Sequence, residues 1–295
     1  MHENVSPLPS LRYNDHHFHQ GYFVHAAAAV ALLAPAAGAG ARARHERVLA
    51  LARDYANPSA DDAFFARLRH KDPFLGLSWA SGLAPPGGAN ANGQNQESSS
   101  EAVHAYAALY LYADAMAQLF DRDGDAAARD AMRRARASAR ALASSEAAAA
   151  RRYWHIARGG GGGGAASPYP LAFAPAAVGI VWSNGLAQFQ TWFSAAPWAA
   201  YGIQLLPITP VSEAVLDGAW ARALAAPMRE SCERDAACAA DGWSTLVAAV
   251  DAVAGDWRAA FDEIRALPDG AFANDAAGGN GQSRANALMW AATRP

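Results

Sequence analysis

Apolar residues recur at helical spacing along most of the chain. The clearest pattern covers residues 99–120, where a broad apolar stripe predicts a helix with one face in a core. Its members are Val103, Tyr106, Leu109, Tyr110, Met116 and Phe120. The same spacing, with proline stops, predicts further helices at 20–34, 43–57, 125–154, 186–194, 212–225, 243–253, 257–266 and 283–292. Apart from the short run 178–182, few segments alternate at the strand period of two.

Many helices joined by long loops that carry Gly and Trp indicate an all-α fold. We expect stacked helical hairpins in an α/α toroid, whose loops line one end and leave a groove there. The chain has 295 residues, 52% of them hydrophobic and 17% charged, which fits a folded protein with a large core. We interpret residues 1–295 as a single helical domain, acting as a monomer.

Charge and hydropathy exclude two classes of partner. The net charge is -3 and no basic patch stands out, so we expect no nucleic acid. The apolar run at 23–35 is too short for a membrane span, so we expect no membrane partner. Residues 1–15 lack a basic start followed by an apolar run, so we do not expect them to be a signal peptide.

The two cysteines, Cys232 and Cys238, lie six residues apart. A disulfide between them would close a small loop and stabilise it modestly. Two unrelated thiols are an equally good interpretation of the sequence. No other Cys or His lies near them in sequence to suggest a zinc site.

The first candidate for chemistry is YNDHHFHQGYF at 13–23. On a helix, Asp15 and His19 share a face, and so do His16 and His19. Three histidines beside an aspartate could bind a metal, but the spacing is not that of His-Glu-x-x-His. The alternative is a structural helix start capped by Asn14 or Asp15. We expect no metal and no cofactor.

The second candidate is GQNQESSSEAVHAYAALYLY at 93–112. Ser98 and Glu101 fit a capping box, with Ser98 at the cap and Glu101 at the third helical position. Glu97 is not explained by that box. Two carboxylates one helical turn apart raise one pKa by repulsion, which is common both in catalytic clefts and on solvated faces.

Three other stretches resemble known motifs without completing them. The GLSWA of 76–80 lacks the final glycine of a serine-hydrolase elbow and has no strand before it. The DRDGD of 121–125 has its glycine misplaced for a calcium loop, and Met132 stands where the glutamate belongs, which favours an interhelical turn. The glycine run of 159–164 lacks the ending of a phosphate loop.

Seven motifs, taken in order, resemble glycoside hydrolase family 81. They are YNDHHFHQGYF, HKDPFLGLSWASGL (70–83), GQNQESSSEAVHAYAALYLY, YWH (153–155), VGIVWSNG (178–185), YGIQLLPITPVSE (201–213) and SRANALMWAATRP (283–295). The most specific is Asn-Gln-Glu-Ser-Ser-Ser-Glu-Ala beside Asp-His-His-Phe-His. The resemblance implies an endo-β-1,3-glucanase with an (α/α)6-barrel catalytic domain. In the family, a β-sandwich and a connecting domain usually precede the barrel, so we expect this chain to begin partway into the barrel.

The resemblance also implies the roles of single residues. The family's catalytic acid falls on Asp15, and its two essential glutamates fall on Glu97 and Glu101. We assign the general base to Glu101 and a supporting role to Glu97, all three facing one groove. The substrate-binding residues that we expect are His16, His19, Tyr22, Trp79, Tyr106 and Trp182. The family inverts the anomeric carbon, so acid and base must leave room for a water.

The chain departs from the family pattern at two places. Leu75, Gly76 and Leu77 precede Ser-Trp-Ala-Ser-Gly where the family usually has a polar residue, Gly and His, and Tyr201 replaces a family His. An apolar Leu77 close to the cleft would weaken binding or activity. The glycine run and the insertion at 268–282 are expected in loops, where they are easily tolerated.

The main hypothesis is therefore an inverting endo-β-1,3-glucanase that acts on a β-1,3-glucan and is secreted or associated with the cell wall. The alternative is a β-1,3-glucan-binding homologue with weak or no catalysis, which Leu77 favours. A helical interaction scaffold without a sugar site is a third interpretation, which the ordered motifs disfavour.

Overall fold

The computed structural model describes residues 13–34, 39–82, 93–157, 168–170, 172–173, 175–272 and 282–294. These residues form ten α-helices and a three-stranded sheet, so the fold is all-α as predicted. The helices are α1 (His16–Leu33), α2 (Ala39–Ala56), α3 (Ser99–Arg122), α4 (Ala126–Tyr153), α5 (Pro197–Gly202), α6 (Gly218–Glu233), α7 (Ala236–Ala240), α8 (Ser244–Ala254), α9 (Trp257–Ala266) and α10 (Arg284–Ala292). The strands are β1 (Asn95–Gln96), β2 (Ile180–Trp182) and β3 (Gly185–Ala187).

The chain divides into two compact units. Unit 1 comprises residues 1–94 and 102–146, and unit 2 comprises residues 95–101 and 147–295. The single domain expected from the sequence stays a prediction.

Unit 1 is built on the packing of α1 against α2 and α3. Gly21 of α1 lies so close to α3 that an added Cβ would stand 2.7 Å from the Cα of Ala105. The hydroxyl of Tyr55 donates a 2.9 Å hydrogen bond to the Ala105 carbonyl. Any side chain at position 21 would therefore force α1 and α3 apart.

Unit 2 has its core among α5, α6, α8, α9 and α10. Trp198, Trp220 and Trp243 are buried there. Gly202 lets α5 lie close to the Trp243 ring, because an added Cβ would lie 2.4 Å from that ring.

Cys232 and Cys238 form a disulfide in unit 2, with their Cα atoms 5.2 Å apart. It joins the end of α6 to α7. Of the two interpretations that the sequence left open, the structure supports the pair.

The sheet of unit 2 is antiparallel, in the order β1-β2-β3. Asn95 pairs with Trp182, and Gln96 pairs with Val181. The two-residue strand β1 therefore fixes the chain just before Glu97. The strand predicted at 178–182 is confirmed in its last three residues.

The predicted helix at 186–194 is wrong. Residues 185–187 form β3, and a tight turn follows, in which both the backbone N–H and the hydroxyl of Thr191 donate to the Ser194 carbonyl at 2.8 Å. The short helices α5 and α7 were not predicted, because five or six residues are too few to show a period. The insertion at 268–282 and the glycine run fall largely outside the described residues.

Among the helices described, none is both long and apolar enough to cross a bilayer.

Candidate active site

Asp15 stands at the start of α1 with a left-handed backbone, φ 59° and ψ 17°. Aspartate tolerates this conformation better than most residues. Its N–H donates a 2.9 Å hydrogen bond to the Ala80 carbonyl, and the side chain of Asn14 accepts one of 2.7 Å from Gly82. The half-buried Asp15 carboxylate does not cap the N–H groups of α1. The backbone around Asp15 is therefore fixed by residues 80–82, while the carboxylate is not used to start the helix.

His16 is held by an acidic partner. Its Nδ1 bonds the carboxylate of Asp54, which also pairs with Arg69 at 3.3 Å. Partial burial raises the pKa of Asp54, but the hydrogen bond and charge of His16, with the charge of Arg69, outweigh it and leave that pKa lowered. Asp54 therefore stays ionised and orients the His16 ring beside Asp15.

The neighbouring His17 and His70 are core residues. Both are buried, with ring centroids 4.6 Å apart. Burial, aided by neighbouring positive charge, lowers the pKa of His17 well below its usual range and lowers that of His70 to about 4. His70 Nδ1 lies 2.8 Å from the Trp79 carbonyl. These two rings are neutral and hold the start of α1.

The expected substrate-binding residues of unit 1 differ in exposure. His19 and Tyr22 are exposed, and the Tyr22 ring lies 5.3 Å from that of His104. Trp79 is 6% exposed and Tyr106 is not exposed at all. The burial of Trp79 and Tyr106 argues against direct stacking of either ring on a sugar.

Leu77 is also buried, at 1% exposure. Its carbonyl accepts a 2.8 Å hydrogen bond from the N–H of Asp72, which turns the loop back there. The expectation that a leucine at position 77 weakens binding or activity stays a prediction.

Glu97 follows β1 directly and is fixed by two bonds in unit 2. One carboxylate oxygen accepts a 2.9 Å hydrogen bond from the N–H of Trp192. Its carbonyl accepts a 2.6 Å bond from the side-chain amide of the fully buried Gln204. Both the backbone and the side chain of Glu97 are therefore held in place.

Glu101 lies in the first turn of α3 and is half-buried. The helix begins at Ser99, which puts Ser98 at the cap and Glu101 at the third helical position, as the capping-box pattern predicts. The Ser98 hydroxyl, however, donates a 3.0 Å hydrogen bond to the Ile203 carbonyl. This serine therefore anchors the helix start to another segment of unit 2.

The two following serines bind the same segment. The Ser99 hydroxyl donates to Gln204 Oε1 at 2.7 Å, and the Ser100 hydroxyl donates to the carbonyls of Ile203, at 3.2 Å, and Leu206. Three consecutive serines thus fix the residues between Glu97 and Glu101 on residues 203–206.

An aromatic pair borders Glu97. The rings of Trp182 and Trp192 meet edge to face with centroids 5.5 Å apart. Trp192 is 48% exposed, and its indole N–H donates a 3.2 Å bond to Asn95. A held, half-exposed indole beside a carboxylate is a suitable surface for the C–H face of a sugar.

The described part of the chain contains no group of three or more His, Cys, Asp or Glu side chains placed to hold a metal ion. The DRDGD stretch is an interhelical turn, in which Asp125 accepts a 3.1 Å bond from the N–H of Ala128 at the start of α4.

The sequence did not single out three residues of the site: Asp54, Trp192 and Gln204. Asp54 lies in the helix predicted at 43–57, where no local motif distinguishes it from other polar residues. Trp192 lies in the segment that was wrongly predicted to be a helix at 186–194. Gln204 stands inside the YGIQLLPITPVSE motif, where a polar residue flanked by apolar ones is a signal for a buried hydrogen-bonding role.

Residues 9–291 match the sequence model described as the glycosyl hydrolase family 81 C-terminal domain. The chain belongs to glycoside hydrolase family 81. That match includes Asp15, Glu97 and Glu101, and it spans residues of both units.

Named relatives of this family 81 chain are glucanases. A glucan endo-1,3-beta-D-glucosidase of Glycine max is 31% identical over 292 residues, covering 96% of this chain and 37% of the relative. A primary septum glucan endo-1,3-beta-D-glucosidase of Schizosaccharomyces pombe is 36% identical over 110 residues, covering 37% and 10% respectively.

A solved structure is also similar. It is a glycoside hydrolase family 81 protein from Clostridium thermocellum, in a mutant form, with a TM-score of 0.69 and 27% identity. The alignment covers 98% of this family 81 chain and 35% of that one. The chain therefore spans little more than a third, or less, of these similar proteins.

Proposed function

We propose that the chain hydrolyses β-1,3-glucan from within the polymer, with inversion at the anomeric carbon. Asp15 protonates the leaving oxygen, and Glu101 activates the attacking water on the opposite face of the sugar. The observation that carries the proposal is the arrangement of residues 95–101. There a short strand, three serine anchors and Gln204 hold the segment, the Glu97 carboxylate lies against the N–H of the exposed Trp192, and Glu101 follows in the first turn of α3. Membership of family 81 supports it.

The division of roles between the glutamates is carried over from the family resemblance: we assign the base to Glu101 and a supporting role to Glu97. One oxygen of Glu97 accepts the N–H of Trp192 at 2.9 Å. Because a carboxylate can accept several hydrogen bonds at once, this contact orients Glu97 and is compatible with a supporting role toward the sugar. We therefore propose that Glu97 holds the segment and the sugar.

The proposed acid has matching support in unit 1. The Ala80 carbonyl fixes the backbone of Asp15. His16, the next residue in the chain, is held by its hydrogen bond to Asp54. Inversion requires the carboxyls of acid and base to be about 6.5–9.5 Å apart, with the glycosidic bond and one water between them. No cofactor takes part in this chemistry.

The sugar itself is proposed to rest on Trp192 and Trp182. Aromatic rings suit the apolar faces of glucose rings. Because Trp192 lies beside Glu97, a glucose residue stacked on it would lie next to the Glu97 carboxylate. His16, His19 and Tyr22 are proposed to contact the sugar from unit 1.

The biological substrate is proposed to be a cell-wall or storage β-1,3-glucan, handled outside the cell. The S. pombe relative is named for the primary septum, which supports a wall polysaccharide.

The test is hydrolysis of laminarin by the purified chain. We expect new reducing ends, a rapid fall in polymer size, and products that are first released as the α-anomer in NMR spectra. Release of single glucose units with only a slow fall in polymer size would contradict endo action. Sedimentation with insoluble β-1,3-glucan, without any release of reducing ends, would select the binding-protein alternative.

A further inference from the structure

Unit 1 contains a buried ion pair that the proposed mechanism does not use. Lys71, the single lysine of the chain, donates from Nζ to Glu146 Oε1 at 2.7 Å. Their side chains are 4% and 3% exposed. Burying such a pair costs several kcal/mol of desolvation per ion, so stability alone is a weak reason to keep it.

Glu146 binds a loop residue with both of its oxygens. The N–H of Ser78 donates to Oε2 at 3.1 Å, and the Ser78 hydroxyl donates to Oε1. The Ser78 oxygen also lies 2.9 Å from the hydroxyl of Tyr106. Ser78 is therefore held at its backbone and its side chain by groups that are themselves buried.

Lys71 holds the same loop from its other side. Its Nζ donates to the Gly76 carbonyl at 2.6 Å, and Lys71 and Ser78 form an antiparallel bridge. The Ser145 hydroxyl also donates to the Gly76 carbonyl at 2.9 Å. Residues 71–78 thus form a closed loop around the ion pair.

The residues that follow this loop contact Asp15. The N–H of Trp79 donates to the His70 carbonyl at 2.8 Å, and the carbonyl of the next residue, Ala80, accepts the 2.9 Å bond from the N–H of Asp15. One residue, Trp79, therefore separates Ser78, which Glu146 binds, from Ala80, whose carbonyl fixes the Asp15 backbone. Because Asp15 has a left-handed conformation that few side chains adopt, its orientation depends on such outside contacts.

We propose that Glu146, together with Lys71, is a positioning residue for the general acid, acting on Asp15 through Ser78 and Ala80. The inference rests on the proposed function, because it needs Asp15 to be the acid. The pair is then retained for the placement of one carboxyl group.

The test compares two substrates in one variant. Lys71→Met combined with Glu146→Gln removes both charges, so no unpaired ion is left buried. We expect the kcat on laminarin to fall at least about tenfold, since small misplacements of a reacting group carry such costs. The KM on laminarin should stay unchanged. A β-laminaribiosyl fluoride needs no acid for its leaving group, and its turnover should stay within about twofold of the parent chain.

A matched control removes an ion pair from unit 2. Arg229 pairs with both Asp251 and Glu263. Arg229→Met combined with Asp251→Asn and Glu263→Gln should lower stability without changing the ratio of the two turnovers. Should the Lys71/Glu146 variant not fold, Ser78→Ala tests the same ratio of turnover on laminarin to turnover on the fluoride, with a smaller loss of stability. We expect a severalfold loss of turnover on laminarin alone.

The outcomes separate the two proposals. Equal losses on both substrates, or no loss on either, overturn the positioning role when Asp15→Asn does show selective loss on laminarin. If Asp15→Asn itself lacks that selectivity, the acid assignment fails and this inference fails with it.

Discussion

The side-chain amide of Gln204 donates a 2.6 Å hydrogen bond to the backbone carbonyl of Glu97. The same amide group accepts the N–H and the hydroxyl of Ser99 at 3.2 and 2.7 Å. Gln204 is fully buried, so none of these bonds competes with water. One glutamine therefore connects Glu97, the residue before the serines, with Ser99, the first residue of α3. It thereby fixes the backbone between Glu97 and Glu101.

Replacing this glutamine should damage both stability and activity. Gln204→Leu keeps the size but leaves the Glu97 carbonyl and the Ser99 groups without their partner. We expect the free energy of unfolding to fall by about 2–4 kcal/mol, because each orphaned buried polar group costs about 1–3 kcal/mol. Urea unfolding and the kcat on laminarin measure the effect. Gln188→Leu, at an exposed position of unit 2, is the control and should change both little. Equal behaviour of the two variants would contradict the anchoring role.

Trp192 should govern substrate affinity. Trp192→Ala removes the exposed indole, so we expect the KM on laminarin to rise about 5- to 100-fold, in line with about 1–3 kcal/mol for the loss of a stacking surface. The kcat should change much less, because the N–H that binds Glu97 belongs to the backbone. Trp192→Phe should keep most of the affinity.

The control for this variant is Phe64→Ala in unit 1, where an 86% exposed ring is removed. It should leave the KM unchanged. If Phe64→Ala and Trp192→Ala raise the KM alike, the loss is one of general surface hydrophobicity and the platform assignment is wrong.

The two glutamates should respond differently to neutral substitution. A glutamine at position 97 can still accept the N–H of Trp192, so Glu97→Gln should keep more activity than Glu97→Ala. Glu101→Gln should lose about 10²–10⁴ of kcat on laminarin and on the fluoride alike, because both substrates need an activated water. Azide should partly restore turnover in Glu101→Ala by replacing that water. If azide restores Glu97→Ala instead, Glu97 is the base.

His155 predicts a dependence of stability on pH. Its ring stacks on Trp220 at 3.5 Å, and within the described part of the chain neither ring nitrogen has a hydrogen-bond partner. Burial, with a smaller effect of the Arg151 charge, lowers the pKa of His155 to about 3. As the pH falls through about 6.5, the unfolded chain takes up a proton that the folded chain refuses, so stability decreases by about 1.4 kcal/mol per pH unit from this residue.

The measurement is urea unfolding at pH 7.5 and pH 5.0. His155→Phe keeps a ring on Trp220 but cannot take up a proton in either state. We expect its stability to fall less than that of the parent chain over this interval, by about 2 kcal/mol. An identical fall in both proteins would show that His155 is protonated in the fold or contributes nothing to the pH dependence.

The sequence predicted the parts of the molecule that depend on a long period or a specific motif. The helix that carries Glu101 is predicted at 99–120 and spans Ser99–Arg122. The capping-box pattern predicts its start at the serines, but the Ser98 hydroxyl donates to the Ile203 carbonyl. The family resemblance, confirmed across residues 9–291, placed the candidate carboxylates at Asp15, Glu97 and Glu101. Their roles stay predictions.

What could not be predicted depends on contacts distant in sequence. Trp79 and Tyr106 looked like candidate platforms beside polar motifs, but nothing in their local sequence shows that the chain folds over them. The bond between Asp54 and His16 joins residues 38 apart, and the bond between Gln204 and Glu97 joins residues 107 apart. Such pairs are set by tertiary packing, which a local pattern does not encode.

The most direct test of the proposed mechanism is the activity of Asp15→Asn on two substrates. If Asp15 is the general acid, the variant should lose about 10²–10⁴ of the kcat on laminarin, whose leaving sugar needs a proton. It should hydrolyse β-laminaribiosyl fluoride at nearly the rate of the parent chain, because fluoride departs unprotonated. Equal losses on laminarin and on the fluoride would contradict the assignment of Asp15 as the acid.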